Sequence, residues 1–139
     1  MNDREETKRI KYTKGYKYML EEDAWVYTGI RYAMMTKRVT HFADGWMLIK
    51  DGFGSDGPSG PTWDDKTNIR AGFIHDALYY LHRRGLPMCY RIVDDNLLEK
   101  TMIEDGAPKW RAAYYKWAVQ KFGQSSAEPK NKRKVLVAP

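Results

Sequence analysis

A histidine, a carboxylate and a phenol fall close together between residues 71 and 82, at spacings that suit one helix. His75 and Tyr79 are four residues apart, so both side chains stand on the same edge of that helix. Asp76 follows His75 and lies about 100° further round the helix axis, where it can face a loop packed alongside. A neutral imidazole can take a proton from water near neutral pH. Carboxylate oxygens are ligands that calcium prefers. The stretch therefore indicates hydrolysis assisted by a hard metal ion.

Partners for these groups can be sought on either side of the helix. Upstream, residues 52–61 include four glycines and two prolines, a composition that lets a loop turn its backbone carbonyls and amides inward. Downstream, Asp94 and Asp95 open a second helical pattern. Either carboxylate could hold the second ring nitrogen of His75 and so fix its tautomer. The pattern alone leaves open which of the two does so.

The two helical patterns resemble a known enzyme core. The sequence Phe73-Ile74-His75-Asp76-x-x-Tyr79, followed by Val93-Asp94-x-x-Leu97-Leu98, resembles the paired helices of phospholipase A2 enzymes, especially the disulfide-free form in parvovirus capsid proteins. The glycine pattern of the loop departs from that of the phospholipases, and the disulfides that brace their helices are absent. This resemblance implies a calcium-dependent hydrolase of phospholipid esters.

A second resemblance covers more than half of the chain, from Trp46 to Gly123. It is to an uncharacterised domain family of tailed phages and proteobacteria, and it implies a phage or prophage origin without a function. The matching features are Gly52-Phe53-x-Ser55-Asp56-Gly57-x-Ser59-x-Pro61, the His75-Asp76-x-x-Tyr79 helix, Asp94 four residues before Leu98, and Val119-x-x-Phe122-Gly123.

The phospholipase resemblance implies a role for each matching residue. His75 becomes the general base, and Asp94 becomes the carboxylate behind it, with Asp95 as the alternative one residue along. Tyr79 becomes a hydroxyl that helps to hold this acidic partner. Asp76 becomes the calcium carboxylate. Further calcium ligands are expected in the upstream loop, around Phe53, Ser55 and Gly57. Asp56 has no clear counterpart in the phospholipases and could be an extra metal ligand or could cap a turn through its own backbone.

Composition and charge restrict the class of protein and its partners. The 139 residues are 42% hydrophobic and 14% aromatic, which excludes a disordered chain. The single cysteine, Cys89, predicts a reducing compartment without a disulfide framework. The charged N-terminus does not read as a signal peptide, and no apolar run approaches the ~20 residues of a transmembrane helix. Together with the phage origin that the second resemblance implies, these features lead us to expect the host cytoplasm or a virion. The net charge of +6 fits an anionic partner.

The predicted fold is α+β, with a small antiparallel sheet packed against a three-helix core. Residues 1–15 form a charged arm, residues 16–123 a single domain, and residues 124–139 a basic disordered tail. Within the domain we predict strands over 16–50, the glycine- and proline-rich loop over 51–66 and helices over 67–123, at about 67–84, 91–104 and 108–122. The strands include a hairpin that turns at residues 21–23 and a buried strand at 46–49.

Several other residues have structural interpretations. His82 suits surface capping at a helix C-terminus, and His41 has no partner visible in the sequence. Trp110, Tyr114, Trp117 and Val119/Phe122 fall at helical spacing, which favours core packing over a membrane-facing aromatic set. Cys89 has no base at a distance visible in the sequence, so we do not expect it to act as a nucleophile.

Two functions of different classes remain. The first is a calcium-dependent phospholipid hydrolase that acts on a membrane surface. The second is a non-enzymatic phage virion or host-interaction protein that retains the helical scaffold. We do not expect nucleic acid as a partner, because the basic residues are scattered and do not interleave with aromatic ones on one predicted face. A hydrolase requires His75 to be open to water, whereas a scaffold would bury it.

Overall fold

The computed structural model describes residues 4–15, 18–55, 65–123, 127–128 and 136–138, without the side chain of Phe122. Within these ranges the chain forms seven strands and three α-helices. The strands are β1 (Tyr12–Lys14), β2 (Tyr18–Leu20), β3 (Ala24–Tyr27), β4 (Met34–Met35), β5 (Val39–His41), β6 (Trp46–Ile49) and β7 (Gly54–Ser55). The helices are α1 (Ile69–His82), α2 (Arg91–Glu104) and α3 (Lys109–Phe122), with a short 3-10 turn at Met88–Tyr90 before α2.

The strands form two antiparallel sheets, whereas the sequence predicted one. Three strands pair in the order β1-β2-β7, and four pair in the order β3-β6-β5-β4. The predicted hairpin at residues 21–23 is wrong, because β2 and β3 belong to different sheets. The backbone of Leu20 bonds to Gly52 and Phe53, which draws β2 towards β7, while β3 pairs with β6. The predicted buried strand at 46–49 is confirmed as β6.

The four-stranded sheet buries one face through the alternation of its side chains. Val26 and Met47 are paired across β3 and β6, and Val39 and Ile49 across β5 and β6, all four buried. These residues join one apolar cluster with Phe73, Ile74, Ala77, Leu78 and Leu81 of α1. The sheet therefore supports the helix that contains His75.

Helix α1 lies at the centre of the domain. All of its residues are buried except Asp76 and Tyr80, which are partly exposed. Three residues after the helix the chain turns at a left-handed glycine, Gly85 (φ +120°), beside which the N–H of Leu86 returns to the carbonyl of Leu81. The sequence predicted this end from Gly85 and Pro87.

Helix α2 runs antiparallel to α1, because polar contacts join their opposite ends. At one end Arg70 of α1 forms ion pairs with Glu104 and Asp105, and at the other His82 of α1 bonds to Asp94 of α2. Helix α3 packs on α2 in a second apolar cluster, which contains Leu98, Met102, Ala112, Tyr115 and Val119. This arrangement confirms the α+β fold class and the three predicted helices.

Other predictions concern the two ends of the chain. The charged arm at residues 1–15 contains β1, which pairs with β2. The tail at 124–139 lies mostly outside the described residues, but Ala127 is fully buried and its N–H reaches the carbonyl of Gly123. No helix in the described ranges is long and apolar enough to cross a membrane.

Candidate active site

His75 and Asp95 form a buried hydrogen-bonded pair between α1 and α2. The Nε2 atom of His75 lies 2.9 Å from Oδ1 of Asp95, and both side chains are 3% exposed. A carboxylate oxygen can only accept, so the ring donates through Nε2–H. A neutral His75 in this tautomer has Nδ1 as its proton acceptor. The described part of the chain offers Nδ1 no hydrogen bond.

Tyr79 and Arg91 hold the acidic partner in place. The Tyr79 hydroxyl donates to Oδ1 of Asp95 at 3.1 Å, and the Arg91 guanidinium donates twice to that hydroxyl at 3.2 Å. The Tyr79 ring also packs on the ring of His75, with centroids 4.1 Å apart. Burial raises the pKa of Tyr79, and the Asp95 carboxylate raises it further, while Arg91 opposes them. The hydroxyl therefore stays protonated at neutral pH and remains a donor.

Asp94, predicted behind His75, bonds to a different histidine. Its Oδ2 lies 2.5 Å from Nε2 of His82, and both side chains are fully buried. The prediction of Asp94 is corrected to Asp95, the alternative one residue along. The two acids lie about 100° apart around α2, so each meets a different histidine of α1.

His82 was also misplaced by the sequence, which predicted a surface cap. Its Nδ1 lies 3.0 Å from the carbonyl of Leu86, and the ring is 0% exposed. The chain turns at Gly85 and folds residues 86–94 back over the end of α1, which covers the ring. Burial raises the pKa of Asp94 above its ordinary value, although the hydrogen bond from His82 opposes this shift.

Asp76 meets the loop side of the site, as the sequence predicted. Ser55 donates from Oγ to Oδ2 of Asp76 at 2.5 Å, and Ser55 is itself buried at the end of β7. Since Asp76 directly follows His75 in α1, its carboxylate and the Ser55 hydroxyl lie about 100° round the helix axis from the imidazole. Both oxygens suit calcium in kind.

Of the remaining predicted calcium ligands, the structure describes only Phe53. Phe53 is a core residue whose carbonyl accepts a hydrogen bond from Leu20 and whose ring packs edge-on against Tyr80. Asp56 and Gly57 lie outside the described residues. No group of three His, Cys, Asp or Glu that could bind a metal occurs within the described ranges. A calcium ion bound by Asp76 and Ser55 would therefore need further oxygens from the loop.

His41 is buried, although the sequence offered no partner for it. Its Nε2 lies 2.7 Å from the Thr28 hydroxyl, and its Nδ1 lies 2.8 Å from the carbonyl of Tyr32. Burial lowers the pKa of His41 below its ordinary value. Its neutral ring thus joins β5 to the segment that follows β3.

Sequence reasoning missed Arg91 and assigned the wrong acid to His75. Arg91 lies four residues before Asp95, and this spacing places both side chains on one face of α2. That spacing was a usable signal for Asp95. Cys89 is a free, exposed thiol.

Known proteins add no direct evidence on this site. Comparison with protein-family models, with curated proteins and with solved structures finds no match to this chain. The case for a function rests on the residues and their geometry.

Proposed function

We propose that this protein is a phage-encoded, calcium-dependent phospholipid acyl hydrolase of the phospholipase A2 type, acting in the host cytoplasm or from the virion. The observation that carries the proposal is the 2.9 Å hydrogen bond between His75 Nε2 and Asp95, with Tyr79 donating to the same carboxylate oxygen. This bond orients the imidazole with Nδ1 as its acceptor. Asp76, the adjacent residue, supplies a carboxylate for the metal.

The chemistry follows from the state of each side chain. His75 Nδ1 takes a proton from water, and the resulting hydroxide oxygen bonds to the carbonyl carbon of the lipid ester. The ester C–O bond then breaks, and the proton on His75 passes to the departing alkoxide, which gives a fatty acid and a lysolipid. Asp95 stabilises the imidazolium that forms between these steps. Calcium held by Asp76 and Ser55 would polarise the ester carbonyl and stabilise negative charge on its oxygen.

A second function is favoured by the burial of the histidine. His75 is only 3% exposed, which is the burial expected of a non-enzymatic phage virion or host-interaction protein, and a hydrolase would need water to reach Nδ1 despite it. In that case the His75–Asp95 and His82–Asp94 pairs would serve to align α1 and α2. The two functions differ in whether the protein releases fatty acid.

The test is lipid hydrolysis by the purified full-length protein. Host phospholipid vesicles are incubated with the protein in calcium or in chelator, and free fatty acid is measured by mass spectrometry. We expect release that requires calcium and falls about a hundredfold or more in His75→Ala and Asp95→Asn. Asp76→Asn should release no fatty acid with or without calcium, because it removes the carboxylate proposed to hold the metal.

Asp94→Asn provides a matched control, because it changes the neighbouring acid on the same helix without touching His75. We expect it to retain most of the activity. No release by the wild type, with calcium failing to raise its melting temperature, would reject the hydrolase and favour the scaffold. Equal losses in Asp94→Asn and Asp95→Asn would reject the assigned role of Asp95.

A further inference from the structure

Helix α3 has two different faces. One face packs on α2 through Ala112, Tyr115 and Val119, which are fully buried. The opposite face, which we call the aromatic face of α3, consists of Trp110, Tyr114, Trp117 and Lys121, at steps of four, three and four residues. Such steps align side chains along one side of a helix.

The two tryptophans of the aromatic face are exposed, against the sequence-based preference for core packing, whereas Tyr114 is partly buried against the second apolar cluster and Val119 is buried. Trp110 is 65% exposed and Trp117 is 48% exposed. Trp25 and Trp46, by contrast, are partly buried and pack against each other on the four-stranded sheet. Two tryptophans on one exposed helix face form an apolar surface of the kind found at interaction sites.

The charge of α3 is entirely positive. The helix contains Lys109, Arg111, Lys116 and Lys121 and no acidic residue. Arg111 forms an ion pair with Asp65, and Lys116 forms one with Glu99. Lys109 lies beside Trp110 in the chain and is exposed, and the Lys121 ammonium lies 5.6 Å from the Trp117 ring centroid. Cations thus flank the aromatic side chains at both ends.

We propose that the aromatic face of α3 docks this protein on anionic lipid bilayers. Tryptophan and tyrosine partition to the level of the lipid headgroups, and lysines beside them are attracted to anionic lipid. A helix with aromatic residues on one side and cations around them can lie in the plane of that interface. The proposal rests on the proposed function in making this bilayer the substrate, although docking itself needs no hydrolysis.

Two other occupants fit the face less well. In a symmetric dimer the same patch would meet itself, which would bring like charges at Lys109 and Lys121 towards one another. A nucleic acid would stack its bases on exposed ring faces. The rings of Tyr114 and Trp117 are already stacked on each other, with centroids 5.8 Å apart and planes at 29°.

The test uses vesicles of ether-linked phospholipids, which lack the ester bond and cannot be hydrolysed. Binding of the full-length protein is measured by co-sedimentation and tryptophan fluorescence, with anionic and with zwitterionic vesicles, in chelator. We expect wild type to prefer the anionic vesicles. The double variant Trp110→Ala/Trp117→Ala should bind roughly tenfold more weakly or worse, since two large side chains no longer enter the interface. Lys109→Glu and Lys121→Glu should each cost about fivefold or more on anionic vesicles.

Matched controls come from exposed residues on another element. Met35→Ala removes an apolar side chain that is 81% exposed on β4, and Lys37→Glu makes the same charge change near that strand. Both should bind as wild type does. His75→Ala should also bind as wild type does. A wild type that docks on ether-linked vesicles but releases no fatty acid from ester lipids would refute the hydrolase and leave the docking surface standing.

Three results would overturn the docking surface. The first is a wild type that does not bind anionic vesicles, and the second is a folded Trp110→Ala/Trp117→Ala variant that binds as tightly as wild type. The third is a Trp110→Ala/Trp117→Ala variant that binds vesicles as wild type does but has lost binding to another partner. Loss of binding to a single-stranded oligonucleotide would then assign the face to nucleic acid, and conversion of a wild-type dimer to a monomer would assign it to a second copy of the chain.

Discussion

His82 Nε2 lies 2.5 Å from Asp94 Oδ2, and neither side chain has any exposed surface. The second carboxylate oxygen, Asp94 Oδ1, has no hydrogen-bond partner within the described part of the chain. A buried acid with one unsatisfied oxygen depends strongly on the partner it does have, because an unpaired charge in the interior is costly.

Removing the histidine should therefore harm the protein more than neutralising the acid. We expect His82→Ala to lower the free energy of unfolding by about 3 kcal/mol or more, since it leaves Asp94 without its donor. Asp94→Asn should cost only about 1 kcal/mol, since its amide N–H can donate to Nε2 of a neutral His82, whose Nδ1–H donates to the Leu86 carbonyl, and no buried charge remains. Urea denaturation at pH 7 measures both. Equal losses would mean that the charge on Asp94 is not what His82 stabilises.

The Tyr79 hydroxyl should matter for activity more than for stability. Tyr79→Phe removes one donor from Asp95 and the acceptor of Arg91, which we expect to cost about 1–2 kcal/mol of unfolding free energy. Fatty acid release should fall roughly 10- to 100-fold, because the acid that orients His75 is less well held. Tyr115→Phe is the matched control, since its buried hydroxyl accepts from Asn68 in the other apolar cluster. A similar loss of release in both variants would contradict the role assigned to Tyr79.

His41 should make the protein less stable in mild acid. Its folded-state pKa lies below the value of 6.5 for a free histidine, so the unfolded chain binds a proton more readily than the folded one. Stability from this group is fully present above pH 6.5 and is lost as the pH falls towards the folded pKa. We expect the drop in unfolding free energy between pH 7.5 and pH 5.5 to be smaller in His41→Asn than in wild type. An unchanged drop would assign the acid sensitivity to other groups.

Gly45 should tolerate no side chain. Its φ is +98°, and a Cβ there would lie 2.9 Å from a Tyr27 ring atom and 3.0 Å from the backbone of Gly29. Gly85 has a φ of +120° but open space around the added atom, so Gly85→Ala isolates the backbone strain. We expect Gly85→Ala to cost about 1–2 kcal/mol and Gly45→Ala clearly more. Thermal unfolding of both variants measures the difference, and equal melting temperatures would argue against the close contact.

The sequence predicted the helices well because their signals are local. The three helices follow from apolar periodicity, from Gly85 after α1 and from Pro108 before α3, and each begins and ends within about two residues of its prediction. The pairing of strands was not predictable in the same way. Whether β2 meets β3 or β7 depends on contacts between Leu20 and residues more than thirty positions away, and no short pattern encodes them.

The candidate site was predicted in its residue types and only partly in its pairings. His75, Tyr79 and Asp76 stand in α1 as the motif indicated. Choosing between Asp94 and Asp95 requires knowing how α2 is rotated about its own axis. The sequence of α2 alone does not give this rotation, because it is set by packing against α1. The burial of His82 depends on the return of residues 86–94 over α1, which is a tertiary event. Exposure of Trp110 and Trp117 was missed because helical spacing does not say which face meets solvent.

The two adjacent acids of α2 together fix the rotation and register of this helix against α1. One fits His75 and the other fits His82, on two turns of α1 separated by seven residues. A rotation of α2 by the angle of one residue, about 100°, would break both acid–histidine hydrogen bonds. A shift of α2 by one turn along its axis would leave the acids among apolar side chains. Apolar contacts alone tolerate such slips, since one leucine can replace another. The paired acids therefore give the α1–α2 interface a single permitted alignment, and the surrounding apolar residues are left free to vary in shape.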